Sequence, residues 1–156
     1  MRRRAILGIS LSCLLGACAH QSDEGVGVMA WTLHNAEGEG VKLAYGQPAS
    51  DNVVLMMTCQ PRSGQVLVSL TAPAGEAPKA IEISSKRQTS RLPGQIVPGP
   101  GDGGMIEAPA TVSNPALQSF ARTGDIAIAD ERGSQELPVG RVERLAVSDF
   151  FEQCAA

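Results

Sequence analysis

Residues 53–70, VVLMMTCQPRSGQVLVSL, decide the fold. Two apolar runs rich in β-branched residues flank Pro61-Arg62-Ser63-Gly64. Pro suits the first corner of a tight connection and Gly can take the left-handed conformation, so the stretch reads as a β-hairpin. Val53, Leu55, Met57 and Cys59 share one face of the first strand, and Val66, Val68 and Leu70 share one face of the second. Side chains alternate across a strand, so the pair presents one continuous apolar surface. Val54, Met56 and Thr58 on the opposite face are also largely apolar. The first strand is therefore expected to be covered on both sides.

Upstream, Met29, Trp31 and Leu33 alternate in one expected strand, and Val41, Leu43 and Tyr45 in another. Asn35 to Gly40 turns the chain between them, and Ser50-Asp51-Asn52 leads into the hairpin. Downstream, residues 72–78 form a loop, followed by a strand from Ala80 to Ser84 with Ile81 and Ile83 on its buried side. The polar run SSKRQTS (84–90) reads as a surface crossing between strands. Leu92, Ile96 and Val97 add a strand, PGPGDGG (98–104) is the strongest loop signal, and Met105-Ile106 opens a short strand that ends before Pro109. Asn114-Pro115 starts a helix, since Asn accepts from free amides and Pro at the first position loses no hydrogen bond. Leu117, Phe120 and Ala121 share its inner face, and Gly124 closes it. Residues 125–130 make a strand, Arg132-Gly133-Ser134 a turn, and Leu137 to Val139 the partner. The last element is helical, with Ser148 a possible cap and a start as early as Glu143. It gathers Phe150, Phe151 and Cys154 on one side.

The expected fold is mainly β, a single β-sandwich or flattened barrel of about eight short strands with two short helices, one of them C-terminal. The 17 Gly and 10 Pro, scattered between short apolar runs, fit the many turns of such a fold. Trp31, Tyr45, Phe120, Phe150 and Phe151 are the only aromatics, and each is expected to anchor the core rather than to stack on a ligand.

The amino terminus bears on the compartment. Arg2-Arg3-Arg4 precedes an apolar run from Ala5 to Leu15 that suits a secretion signal and is too short to span a bilayer. Leu15-Gly16-Ala17-Cys18 resembles the lipobox of bacterial lipoproteins. That resemblance implies cleavage before Cys18 and acylation of its sulfur, with 1–17 a signal peptide, 18–26 the lipidated Cys and a polar tether, and 27–156 a single β-rich domain. Ordinary signal cleavage nearby is the alternative. In the lipoproteins, an aspartate after the cysteine is associated with inner-membrane retention. Ala19 stands there, which points to the periplasmic face of the outer membrane.

Loss of the signal removes three of the thirteen Lys/Arg and none of the sixteen Asp/Glu, leaving a net charge of −6. An acidic chain with no evident basic patch argues against nucleic acid and against electrostatic docking on anionic lipid, so membrane contact is expected through the anchor. Cys13 departs with the signal and Cys18 carries lipid. Cys59 and Cys154 remain, and in an oxidising compartment they most simply form a disulfide. Two unbonded buried thiols are the other reading. The layout also resembles small uncharacterised envelope proteins of proteobacteria, on four elements: the strand ending in Cys59, its partner from Gln65 to Leu70, Phe120-Ala121-Arg122-Thr123-Gly124, and Phe150-Phe151-Glu152-Gln153-Cys154. That resemblance implies the fold and the disulfide, and no activity.

Signals of chemistry are few. His20 lies in the tether; His34 stands near Glu37 and Glu39, where one imidazole beside turn acids reads more readily as a solvated turn than as a metal site. No G-x-S-x-G or S-x-x-K occurs, and Arg122-Thr123-Gly124 without a serine motif is a helix end. The 99–104 loop lacks the Gly-Lys-Ser/Thr ending of a phosphate cradle. Lys86, Arg87 and Arg91 form the one local basic cluster, either a solvated charged strand edge or a contact for an acidic partner. The expectation is therefore a cell-envelope lipoprotein acting as a non-enzymatic binding or structural module, without cofactor or metal, with an envelope protein as a possible partner. An inhibitor of a lysozyme-like or proteolytic enzyme is a second reading, and an unrecognised hydrolase a third.

Overall fold

The computed structural model describes residues 27–36, 38–72, 79–99, 103–130 and 133–156. Its elements in chain order are β1 (Ala30–Ala36), β2 (Gly40–Gly46), β3 (Val53–Cys59), β4 (Gln65–Ala72), β5 (Ala80–Ser85), β6 (Gln88–Pro93), β7 (Gln95–Pro98), β8 (Gly104–Thr111), α1 (Pro115–Thr123), β9 (Ala127–Asp130), β10 (Gly133–Glu136) and α2 (Glu143–Cys154). The central hairpin forms as read, with Leu55 opposite Leu70 and Met57 opposite Val68. Arg62 and Gly64 both take positive φ in its turn.

The strands make two antiparallel sheets, one ordered β1-β2-β3-β4-β8-β7 and the other β10-β9-β5-β6. Neither closes into a barrel, and the arrangement is sandwich-like. Ten strands rather than about eight are present among the described residues. One reason is that the 84–90 run is a tight hairpin, not a surface crossing: Lys86 and Arg87 alone separate β5 from β6, with Lys86 at φ 54°. Another is that the chain leaves the smaller sheet and enters the larger one at Gly94. A Cβ there would stand 2.7 Å from Ile106 Cγ2 and 2.9 Å from the Glu107 carbonyl oxygen, so only glycine fits the passage.

Two further strands differ from expectation. β8 runs through Pro109 to Thr111, because β7 pairs only with Gly104–Glu107 and leaves one side of β8 without a neighbour at the proline. The partner of β9 is Gly133–Glu136, and Leu137 lies beyond its end, buried against the core with its N–H donated to the Ile126 carbonyl. There the apolar residue marks packing rather than pairing.

One continuous core fills the space between the inner faces. The larger sheet contributes Val41, Leu43, Leu55, Met57, Val68 and Ile106, and the smaller one Ile81, Ile83, Leu92 and Ile128. α1 packs on β5 and β6, α2 on β1 and β2, and the two helices touch. With the helices and the second sheet all on one side, Val54, Met56 and Thr58 remain partly exposed on the outer face. The expected cover on both sides of β3 is thus not found. All five aromatics are buried. Trp31 lies 5.3 Å from Tyr45 and 5.1 Å from Phe120, Phe120 lies 5.9 Å from Phe151, and Phe151 meets Phe150 edge-on at 5.2 Å, measured between ring centroids.

α1 is capped as its sequence dictates. Asn114 Oδ1 accepts from the N–H groups of Ala116 and Leu117 at 3.1 and 3.3 Å, and Gly124 ends the helix at φ 71°. α2 begins at Glu143, and Ser148 lies within it, donating to Glu152 at 3.2 Å. The Glu143 carboxylate accepts from Gly140 N–H and, at 2.8 Å, from Trp31 N–H. At the far end Asn35 Nδ2 donates to Gln153 Oε1 at 2.7 Å. α2 therefore runs alongside β1 in the same direction. Its last carbonyls, Gln153 and Cys154, accept from Arg62 and Gly64 N–H at 2.8 and 2.9 Å, so the hairpin turn caps the helix. The Cys59–Cys154 disulfide joins the same two elements, with Cα atoms 5.8 Å apart.

Candidate functional site

The basic cluster lies on the β5–β6 hairpin and does not stay together. Lys86 Nζ reaches Asp125 Oδ2 at 2.5 Å, whereas Arg91 sits in mid-strand, 3.8 Å from its cross-strand neighbour Glu82. Arg87, at the tip, is exposed. Asp125 is placed by the end of α1: its N–H donates to Thr123 Oγ1 at 3.2 Å, and that hydroxyl donates to the Ser119 carbonyl at 2.9 Å. The Lys86 hydrogen bond chiefly holds the Asp125 carboxyl below its usual range. Slight burial opposes this, and the charge of Lys86, the Thr123 hydroxyl and the charge of Arg144 reinforce it.

Arg144 was not singled out by the sequence, yet the fold brings it here. Its guanidinium carbon would lie 3.4 Å from a Cβ placed on Gly124. Exposed Arg141 lies one turn back along the chain. Lys86 and Arg144 thus both bear on Asp125, at the Gly124 end of α1. The available signal was the R-V-E-R-L spacing at 141–145, masked by its place in an otherwise ordinary helix start.

Beside Lys86 lies an open cleft of about 470 Å³, lined among others by Ser84, Asp125, Ser134, Glu136 and Pro138. A second hollow, at the opposite end of α2, is lined by Pro61, Arg62, Asp149, Glu152 and Gln153. The lowered Asp125 has a testable sign. A carboxyl depressed in the folded state stabilises the fold above its ordinary range, and that contribution is lost as pH falls through its folded value. Lys86→Met should move the Asp125 carboxyl titration, followed by NMR, upward toward the ordinary aspartate value. Because the pair is exposed, global stability should change by no more than about 1 kcal/mol.

Of the other candidates, His34 Nε2 lies 3.2 Å from Thr32 Oγ1, and Glu39 is paired with Lys42, whose hydrogen bond chiefly lowers the Glu39 carboxyl. Glu37, His20 and Cys18 lie outside the described residues. No three of His, Cys, Asp or Glu gather as a metal-ligand set among the described residues. Tyr45 is raised, first by burial and then by the negative charge of Glu143, which fits a core phenol. Cys59 and Cys154 are joined to each other. No protein-family model, curated protein or solved structure matches this chain.

Proposed function

We propose that this chain is a lipid-anchored protein of the bacterial cell envelope, held at the periplasmic face of the outer membrane through Cys18 and acting by binding rather than by catalysis. The observation that carries the reading is the Cys59–Cys154 disulfide. It is compatible with an oxidising compartment, the setting that a lipobox at 15–18 implies. No helix among the described residues is long and apolar enough to cross a membrane, so attachment through an acylated cysteine suits the chain. Binding is put before catalysis because the sequence carries neither a G-x-S-x-G nor an S-x-x-K nucleophile motif.

The test is mass spectrometry of the N-terminal peptide from membranes of a bacterium expressing the full chain. The expected result is a peptide beginning at Cys18 and carrying diacylglyceryl mass on sulfur, with Cys18→Ser left unprocessed. An unmodified N-terminus elsewhere would overturn the anchor.

A further inference from the structure

The helices and the smaller sheet pack on one side of the larger sheet, so its other side meets water across six strands. A solvated sheet face is ordinarily polar. This one is not. Around its centre stand Val54, Met56, Leu67, Met105 and Val97, all half-buried. The chain is 19% charged, yet by alternation the six strands place only two formally charged side chains on this face, Lys42 of β2 and Glu107 of β8. His34 stands beside Lys42 in the register, and Glu39, in the turn before β2, is the ion-pair partner of Lys42. Ser69 lies between Met56 and Glu107, and its buried hydroxyl has no hydrogen-bond partner among the described residues. The middle of the face is closed to water before anything rests on it.

The strand register makes this face complementary to itself. One cross-strand row runs Lys42, Thr58, Leu67, Pro109, and the next runs Ala44, Met56, Ser69, Glu107. A two-fold axis parallel to the strands, between β3 and β4, turns a second copy over onto the first. β3 then lies on the partner's β4, and β2 on the partner's β8. Met56 sits over the partner's Ser69 and Leu67 over the partner's Thr58, so each large side chain meets a smaller one. Lys42 and the partner's Glu107 stand one row apart, about 7 Å along the strands, and reach toward each other across sheets about 10 Å apart. The contact occurs twice, once on each side of the axis. The other in-plane axis, across the strands through Ser69, would set Glu107 against the partner's Glu107, a repulsive contact.

The size of the face is also of the right order. Six strands about 4.8 Å apart and about 23 Å long present roughly 650 Å². That approaches the roughly 800 Å² per partner of a stable interface.

We propose that the chain pairs with a second copy of itself through this face, the two larger sheets stacking about the β3–β4 axis. Lys42 of each copy, still beside its own Glu39, also meets the partner's Glu107. Apolar contact between the sheets holds the pair, and the two charge contacts select this axis. The pairing does not depend on acylation at Cys18.

The test uses the full chain as the cell makes it, purified without unfolding and held in detergent micelles where it carries lipid. Interfaces of this size bind at micromolar concentration or tighter, so sedimentation at about 100 µM should show a dimer. Lys42→Glu and Glu107→Lys, each alone, should weaken the dimer about tenfold or more, by setting like charges together. Mixed in equal amounts, the two variants should pair with each other about as tightly as the unaltered chain does, because both contacts are again of opposite sign. High salt should narrow the gap between the unaltered chain and each single variant. Glu107→Gln, which keeps the shape of the side chain, should weaken the dimer about threefold. A chain that is monomeric at this concentration overturns the proposal. So does a dimer that neither charge reversal weakens, or a mixture of the two variants that stays as weak as each alone. Trp31 emission, read on every variant, shows that the core is intact, since Trp31 lies on the inner face.

Discussion

Replacing Cys59 and Cys154 together with serine should lower the unfolding free energy by about 4–5 kcal/mol, as expected for a cross-link closing a loop of 95 residues. The double variant avoids leaving one buried thiol beside a new hydroxyl. The native geometry should survive, because α2 is also held by Phe150 and Phe151 in the core and by Arg62 and Gly64 N–H on its final carbonyls. The loss therefore arises chiefly in the unfolded chain, which gains freedom once the bridge is absent. Urea denaturation checks both parts. The midpoint should fall and the slope should rise, because the uncrosslinked unfolded chain exposes more surface. A loss below about 1 kcal/mol would mean that the unfolded chain is already compact around this contact. Small domains are stable by only about 5–15 kcal/mol, so the expected change removes a large part of the total.

Phe120→Ala should cost about 3–5 kcal/mol, the range for removing a fully buried aromatic ring. Phe120 belongs to α1, which packs on β5 and β6, and its ring touches Trp31 of β1 and Phe151 of α2. It thus joins the smaller sheet, the larger sheet and the C-terminal helix at one point. Thermal unfolding measures the loss. Trp31, the only tryptophan, supplies a local readout, since the void opens against its indole. Its emission should shift to the red in the folded variant. An unchanged spectrum with an unchanged midpoint would show that the neighbouring chains had closed the space.

The parts of this fold that were legible in the sequence are those fixed by local chemistry. The β3–β4 hairpin follows from alternation around Pro61 and Gly64, and α1 from Asn114, Pro115 and Gly124 acting at its two ends. The paired cysteines and the buried aromatics were legible for a similar reason, since few residues of each kind were present and each had one plain use. Where tertiary packing decides, local reading fails. Leu137 reads as a strand residue because it is apolar, yet it is buried beside β10 rather than in it. Pro109 reads as a strand end, yet the missing neighbour that tolerates it is the far side of β8. The meeting of Lys86 and Arg144 about Asp125 was hidden for a third reason. Lys86 and Arg144 lie 58 positions apart in the chain, and only the meeting of α1, α2 and the β5–β6 turn brings them together.

The course of α2 beside β1 bears on how such a chain behaves when crowded. The border of an open sheet is a template on which a foreign strand can add and seed aggregation. Glu143 takes the outward N–H of Trp31, and α2 lies along the strand that would otherwise offer that template. At the other border of the larger sheet, β7 stops after four residues at Pro98, and in the smaller sheet β10 is short and polar. Self-association by strand pairing is thereby discouraged at three of the four borders. The border at β6 is the one of the four left open to such pairing.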